Sequence, residues 1–153
     1  MIQHFQGYLD DPDQTALCLS SSGWLRTGDV AYYDEDGFFF IADRMKDLIK
    51  VRGFQVAPAE LEALLLTNDL VSDAAVISVS DENSGELPLA CVVLQKKDVQ
   101  KDKAKKEIYD WVKERVAPFK RLDGGIVFVD SIPKSPSGKI LRRILKDQMS
   151  DSS

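Results

Sequence analysis

Short β-prone runs alternate with segments of helical periodicity from residue 44 onward, and this order leaves few folds open to the chain. Leu61, Leu64 and Leu65 recur at helical spacing behind Pro58, whose missing N–H costs nothing in a first helical turn. The pattern predicts the order β-β-α-β-β-α-β-α, with strands near 48–51, 54–56, 73–79, 87–94 and 125–129 and helices from 58, over 101–116 and over 140–149. Such interleaving favours an α+β fold, in which helices pack on a small mixed sheet.

Residues 1–43 have a different texture, because turn-rich segments separate short strands there and no helix is predicted. The turn at Asp36 and Gly37, set between two β-prone runs, predicts a hairpin. We therefore expect three parts: a β-rich remnant of another unit at 1–43, a compact domain at 44–149 and a tail at 150–153.

The composition excludes several classes of protein. A formal net charge of −5 over 153 residues argues against nonspecific binding of nucleic acid. No apolar run approaches the ~20 residues of a membrane span. The two cysteines, Cys18 and Cys91, indicate neither a disulfide framework nor a zinc site, and we expect no metal site. Cys91 lies in the apolar run 89–94 and is expected to be a buried, inert thiol.

The first segment whose residues could bind a ligand is 23–29, which reads Gly-Trp-Leu-Arg-Thr-Gly-Asp. A carboxylate held behind a Thr-Gly turn can accept two hydrogen bonds from a vicinal diol, such as the ribose of a nucleotide. The alternative is that Asp29 only caps the turn. The motif taken alone favours this alternative, because Thr-Gly-Asp is short and common.

The second segment, 41–62, changes from densely charged to β-prone to helical. This change indicates a hinge at Lys46 or its neighbour. Gly53 would let a ligand chain approach the backbone closely. The alternative is a solvated, charged hairpin without a ligand.

The third segment, 132–143, is a Pro/Ser/Gly loop that presents Lys139 ahead of the last helix. A lysine on a mobile loop can swing into a site and place one positive charge on a developing anion. Residues 134–146 contain five basic and no acidic residues, which indicates a specific anionic ligand. The alternative is a surface lysine that begins a basic helix. A P-loop is excluded, because the full Gly-x4-Gly-Lys-Ser/Thr spacing is absent and Ile140 fills the metal-binding Ser/Thr position.

In their order and separation, the three segments resemble the adenylate-forming superfamily, which includes acyl-CoA synthetases, 4-coumarate–CoA ligases, luciferases and peptide-synthetase adenylation domains. The resemblance runs from Gly7 to the helix behind Lys139. Its most specific part is 43–62, which reads Asp-Arg-Met-Lys-Asp-Leu-Ile-Lys-Val-Arg-Gly-Phe-Gln-Val-Ala-Pro-Ala-Glu-Leu-Glu and is most similar to the coumarate-ligase and luciferase branch.

The resemblance implies a two-step reaction. A small carboxylic acid and ATP first give an acyl-adenylate and pyrophosphate, and the thiol of CoA then displaces AMP to form a thioester. The smaller C-terminal domain rotates between the two steps. ATP and CoA are thus the implied co-substrates, and Mg²⁺ would arrive with ATP at a site outside this chain.

Three residues match family positions that concern the nucleotide and the rotation. Asp29 matches the aspartate that holds the ribose hydroxyls. Arg44 matches the arginine that helps to hold the ribose or phosphate, and Lys46 lies at the hinge position.

Three further residues match positions in the two half-reactions. Lys139 matches the lysine that closes over the site for adenylation, where its ammonium would bridge the attacking carboxylate and the α-phosphate. Lys50 would face the site of thioester formation, and Gly53 would line the path of the pantetheine arm.

The chain also departs from the family, because the phosphate-binding Ser/Thr/Gly-rich loop and the substrate pocket of the large N-terminal domain have no counterpart in it. We expect a C-terminal lid domain with the tail of the N-terminal domain, which is inactive unless that domain is supplied. Two alternatives remain: a freestanding binding or regulatory module that complements an N-terminal domain in trans, and a fragment of a peptide synthetase. A cytoplasmic location is expected, with a peroxisomal one left open.

Overall fold

The structure is a computed structural model that describes residues 5–96 and 98–150. The predicted tail at 150–153 lies outside these residues except for Ser150. The elements are α1 (Pro12–Cys18), β1 (Asp29–Tyr33), β2 (Phe39–Arg44), β3 (Ile49–Val51), β4 (Phe54–Val56), α2 (Pro58–Leu65), β5 (Val71–Asp81), β6 (Gly85–Leu94), α3 (Lys101–Lys113), β7 (Gly125–Phe128) and α4 (Arg142–Ser150). From β3 onward the order is β-β-α-β-β-α-β-α, which confirms the predicted α+β fold.

Five strands form a mixed sheet in the order β4-β3-β6-β5, with β7 beside β6. The β5–β6 hairpin is antiparallel from Val71 opposite Leu94 to Asp81 opposite Gly85, whereas β7 runs parallel to β6. A parallel neighbour needs a crossover connection, and α3 lies in the connection between β6 and β7.

Both faces of this sheet are covered by helices. Ala74 and Val76 of β5 belong to one buried cluster, to which α2 and α3 contribute Leu61 and Ile108. The alternate residues of β5, such as Ile77, belong to a second cluster that contains Leu145 of α4. Because successive strand residues point to opposite faces, a strand covered on both sides reads as a continuous apolar run.

The last helix begins at Arg142 and not at Ile140 as predicted. Ile140 forms a β-bridge with Lys134, and the Leu141 amide donates to the Pro133 carbonyl at 2.9 Å. These two bonds hold the residues before α4 in an extended conformation, so the helical ladder begins two residues later.

The prediction that residues 1–43 contain no helix was wrong, because α1 lies within them. The Asp11 side chain accepts a hydrogen bond from the Gln14 amide at 3.0 Å, and Pro12 occupies the first helical position. An Asp–Pro pair begins a helix as readily as a turn. None of the seven residues of α1 is buried, so the sequence carries no apolar stripe that would reveal the helix.

The predicted hairpin around Asp36 and Gly37 is present as β1 and β2, which pair antiparallel in a separate two-stranded sheet. Tyr32 stacks on Phe40 with their ring centroids 5.1 Å apart, yet both rings remain exposed. Several large apolar side chains of the hairpin and the loop before it are exposed, and we call seven of them the aromatic surface: Trp24, Tyr32, Tyr33, Phe38, Phe39, Phe40 and Ile41. Within residues 5–96 and 98–150, no helix combines the length and apolarity needed to cross a bilayer.

Candidate functional site

Asp29 and Arg44 lie opposite each other at the open end of the first hairpin. Arg44 Nε is 2.9 Å from Asp29 Oδ1, and the two side chains remain 48 % and 26 % exposed. The turn before Asp29 is closed by Thr27, whose hydroxyl accepts a hydrogen bond from the Asp29 amide at 3.3 Å. The Asp29 carboxylate therefore pairs with a cation and is not the group that caps this turn.

An open cleft of about 420 Å³ lies beside the pair, lined by Asp29, Thr27, Gly28 and Met45 among others. Gly28 has a φ of 75°, which glycine adopts without strain, and its carbonyl accepts the Met45 amide at 2.8 Å. The turn thus fixes the direction in which Asp29 leaves the backbone. An exposed carboxylate next to a guanidinium can accept hydrogen bonds from a diol while the cation contacts a phosphate.

Asp43, which precedes Arg44, is a structural residue that the sequence analysis did not single out. Its Oδ1 accepts the Arg44 amide at 2.7 Å, and its Oδ2 accepts the Ala59 amide at 3.1 Å. The residue that precedes α2, Ala57, has no side-chain cap of its own. Asp43 therefore caps α2 from a distance, and the helix dipole favours its negative charge there. No local pattern reveals a cap that lies 16 residues away.

Lys46, the predicted hinge residue, lies exposed in a 3-10 turn at Met45–Asp47, between the first hairpin and the main sheet. A cleft of about 240 Å³ beside the turn is lined by Lys46, Glu86, Arg142 and Arg143 among others. The structure thus places the turn that contains Lys46 next to the start of α4.

Lys50 and Gly53 belong to the β3–β4 hairpin. Ile49 and Val51 are buried, so the Lys50 side chain points to the opposite face of its strand, where it is exposed. Arg52 and Gly53 have φ values of 49° and 84° at the tip of the hairpin. Two positive φ values are typical of the tight turn that suits the twist of a hairpin, and this geometry favours glycine at 53.

Lys139 lies in a loop that is closed at its base. The Ser135 amide donates to the Lys139 carbonyl at 2.8 Å, and the Lys139 amide donates to Ser135 Oγ at 3.1 Å. The Lys139 side chain is exposed, and no acidic side chain of the described ranges pairs with its ammonium. A fixed loop thus carries a cation whose electrostatic interactions are available to a ligand.

Three of the other basic residues around Lys139 have structural partners. Lys134 Nζ lies 2.6 Å from Asp73 Oδ2, and Lys146 Nζ donates to Ser78 Oγ at 2.6 Å. The Arg142 guanidinium donates to both oxygens of Glu62 at 2.8 Å. Much of the positive charge at 134–146 therefore fastens the loop and α4 to the sheet and to α2, and a ligand is not needed to explain it.

The Glu62–Arg142 pair is the most buried ion pair of the described residues, with side-chain exposures of 9 % and 16 %. Burial raises the pKa of Glu62, while the Val76 amide, 2.8 Å from Oε1, and Arg142 act in the opposite direction. The two partners are 80 residues apart, and sequence reasoning missed both of them.

The predicted site residues therefore fall into three groups on different elements. Asp29 and Arg44 form a pair on the first hairpin, Lys50 and Gly53 share the second hairpin, and Lys139 lies in the loop before α4. Lys46 lies between the first two groups. No cluster of three potential metal ligands is found within residues 5–96 and 98–150.

Comparison with known proteins gives a consistent result. The family model described as AMP-binding enzyme C-terminal domain matches residues 60–139. 4-coumarate–CoA ligase-like 1 of Arabidopsis thaliana is 50 % identical over 144 residues, which make up 94 % of this chain and 26 % of that protein. 4-coumarate–CoA ligase 1 of Glycine max is 48 % identical over 150 residues, or 98 % of this chain and 50 % of the relative.

Among solved structures, o-succinylbenzoate CoA synthetase from Bacillus subtilis, in complex with its acyl-adenylate intermediate, superimposes with a TM-score of 0.79 at 35 % identity. The match covers 93 % of this chain and 28 % of that structure. The chain therefore spans between a quarter and a half of the length of the relatives that it matches.

Proposed function

The chain belongs to the AMP-binding enzyme C-terminal domain family, and on this premise we propose that it is the C-terminal part of an ATP-dependent ligase that joins a carboxylic acid to CoA. The matched relatives are named as CoA ligases, and the solved relative is a CoA synthetase that holds an acyl-adenylate. Residues 44–149 act as the lid, and residues 1–43 as the tail of a larger adenylation domain.

The observation that carries the proposal is the exposed Lys139 ammonium on a loop with a fixed base. Attack of a carboxylate on the α-phosphate of ATP increases the negative charge on the transferred group. A lysine already directed at that charge lowers the barrier without reorganisation during the step. Lys139 thus stabilises the transition state of adenylation and does not take up a proton.

Asp29 and Arg44 hold the nucleotide in both steps. The exposed face of the Asp29 carboxylate accepts the ribose hydroxyls, and Arg44 contributes a positive charge near the ribose or phosphate. The same pair then retains AMP as a leaving group while CoA attacks. Orientation of this kind supplies a large part of the rate of a two-substrate reaction, about 7–11 kcal/mol in favourable cases.

Lys46, Lys50 and Gly53 serve the second step. Rotation at the turn that contains Lys46 brings the second hairpin to the nucleotide in place of the Lys139 loop. The tip of that hairpin at Gly53 would line the path of the pantetheine arm, and the space beside its backbone is open, since a Cβ built there meets no atom within 4 Å. Lys50 faces the thioester-forming site.

The aromatic surface supports a missing partner domain. All seven of its members are large apolar residues that remain exposed on one small hairpin and the loop before it. The pairs Tyr32/Phe40 and Tyr33/Phe39 lie on opposite faces of the hairpin, so both faces expose large apolar side chains. Exposed apolar surface on this scale marks a contact site with another protein or domain. The occupant that we propose is the larger adenylation domain, which would also supply the carboxylic acid pocket and the Mg²⁺–ATP site. A cytoplasmic location remains a prediction.

The proposal is tested by co-expressing the chain with the part of the Arabidopsis relative that its match leaves uncovered. We expect ATP–pyrophosphate exchange with at least one acid of an aryl and fatty acid panel, and no exchange from the chain alone. Lys139→Ala should lower the exchange rate by about 10²–10³-fold, as expected when one electrostatic contact to a transition state is removed. Lys105→Ala, an exposed lysine on α3, is the matched control. Equal rates for the two variants would remove Lys139 from the mechanism, and exchange by the chain alone would refute the need for a partner.

A further inference from the structure

Helix α2 connects the three groups of proposed site residues. Its first turn is capped by Asp43, the neighbour of Arg44, and it follows directly on the hairpin that carries Lys50 and Gly53. One turn further along the helix, Glu62 holds Arg142, which lies three residues behind Lys139. The helix is therefore in contact with the segments that serve each half-reaction.

Both carboxylate oxygens of Glu62 accept hydrogen bonds. Its Oε1 accepts the Val76 amide at 2.8 Å, and both oxygens accept Arg142 Nη2 at 2.8 Å. Arg142 Nε in turn donates to the Val76 carbonyl at 3.3 Å. The two charged groups thus bridge α2, the middle of β5 and the start of α4 at one point.

A buried ion pair of this kind is weak evidence for stability, because desolvation of two charges offsets most of their attraction. It is stronger evidence for a fixed arrangement, since loss of either partner leaves a charge buried without compensation. The planar fork of Arg142 donates through Nη2 to Glu62 and through Nε to the Val76 carbonyl, which specifies an orientation that a lysine cannot reproduce.

The Lys139 loop is held on β5 at both ends. Before the loop, Lys134 pairs with Asp73 at 2.6 Å, and behind it Arg142 binds at Val76, three residues further along the same strand. Between these anchors the backbone bonds of Ser135 close the loop. Two polar contacts to one strand thus help to hold the Lys139 backbone, and the Arg142 contact is the buried one.

We propose that Glu62, acting through Arg142, is a positioning residue for Lys139 in the adenylation step, a role that rests on the proposed function. Glu62 does not touch the substrate. It fixes the C-terminal anchor of the loop, and with it the point from which the Lys139 ammonium reaches the phosphate. Thioester formation uses the second hairpin, so the pair is dispensable for that step.

The first test uses the 153-residue chain itself and needs no activity. Hydrogen–deuterium exchange is measured at the amides of Lys139 and Leu141, which bond to Ser135 and Pro133. We expect Glu62→Gln to raise their exchange rates at least tenfold while amides in the middle of β6 change little. Glu60→Gln is the matched control, because Glu60 lies on the same helix but pairs with Lys120 on its exposed side at 2.6 Å. Unchanged loop exchange in Glu62→Gln would overturn the proposal.

The second test uses the complemented enzyme and separates the two half-reactions. Glu62→Gln should lower ATP–pyrophosphate exchange at least tenfold, yet leave thioester formation from a supplied acyl-adenylate within about twofold of wild type. Arg142→Lys keeps the charge without the fork and should give the same pattern, which covers the case that Glu62→Gln fails to fold. An equal loss in both half-reactions would overturn the positioning role. If the wild-type complex shows no exchange, the proposed function fails, and the loop anchoring is decided by hydrogen exchange alone.

Discussion

Cys91 lies in the middle of β6 with none of its surface exposed, which confirms the expectation of a buried thiol. Burial raises the pKa of Cys91 from 9.0 to about 11, because the thiolate loses its hydration in the apolar cluster beneath α4. The thiol therefore stays protonated at neutral pH and is a poor nucleophile.

This pKa shift predicts a pH dependence of stability. The folded chain holds the Cys91 proton more tightly than the unfolded chain, so the contribution is complete below pH 9 and is lost as pH rises toward 11. The loss amounts to about 2–3 kcal/mol in the free energy of unfolding. Urea denaturation at pH 8 and pH 10.5 should show that the free energy of unfolding decreases less between these pH values for Cys91→Ala than for wild type. Cys18→Ala should retain the wild-type decrease. An identical decrease in the free energy of unfolding for all three proteins would contradict the assignment to Cys91.

At the same scale, the sequence predicts the candidate residues better than it predicts their partners. Asp29 and Arg44 were each assigned to the nucleotide, but their contact depends on the register of a hairpin, which places them opposite each other. The pairing of Glu62 with Arg142 carries no signal in the sequence, because it is created by the packing of α2 and α4 against one strand. Local patterns identify chemistry, whereas contacts between distant segments arise only in the folded chain.

At the scale of elements, the cap of α2 is a side chain from another strand. Asp43 supplies the acceptor that Ala57 lacks, and it satisfies the Ala59 amide in the first turn. Caps of this kind contribute about 1 kcal/mol to the stability of a protein.

Replacement of the cap should therefore destabilise the chain. We expect Asp43→Ala to lower the free energy of unfolding by about 1–2 kcal/mol, and Asp43→Asn by less, since Asn also caps helices well. Urea denaturation followed by circular dichroism provides the measurement. Asp36→Ala, at the exposed tip of the first hairpin, should change stability little. A loss for Asp43→Ala no greater than for Asp36→Ala would show that the bond carries no stability.

The elements that sequence reasoning finds and those that it misses differ in how they are stabilised. The helix at Pro58 and the strands β5 and β6 bury apolar residues, so their patterns reveal them. α1 is held by a cap and buries nothing, and the start of α4 is set by a β-bridge to Lys134. Neither of these two features produces a regular spacing of apolar residues in the sequence.

At the scale of the whole molecule, the buried apolar core of the described residues lies entirely at or beyond Ile49. The first 45 residues instead contribute most of the exposed large apolar side chains. Stability and surface hydrophobicity are thus assigned to different parts of the chain.

This division predicts that residues 43–150 fold without the N-terminal segment, with Asp43 kept as the cap of α2. The fragment should unfold cooperatively in urea with a midpoint close to that of the full chain, because both buried clusters are retained. Binding of a hydrophobic dye such as ANS should fall sharply, because the aromatic surface is removed. Non-cooperative unfolding of the fragment would show that the first hairpin contributes to the core, and undiminished dye binding would place the exposed apolar surface elsewhere.

The hydrogen bond from Ala59 to Asp43 has one more consequence, since its two ends lie on opposite sides of the turn at Met45–Asp47. Any swing of the main sheet about that turn, with the first hairpin left in place, must release this bond. The bond therefore stabilises the arrangement in which it is formed. Each 1 kcal/mol that it contributes changes the ratio of molecules with the bond formed to molecules with the bond broken about fivefold. In the rotation proposed for residues 44–149, Asp43 would in this way set how often the domain leaves the arrangement seen here.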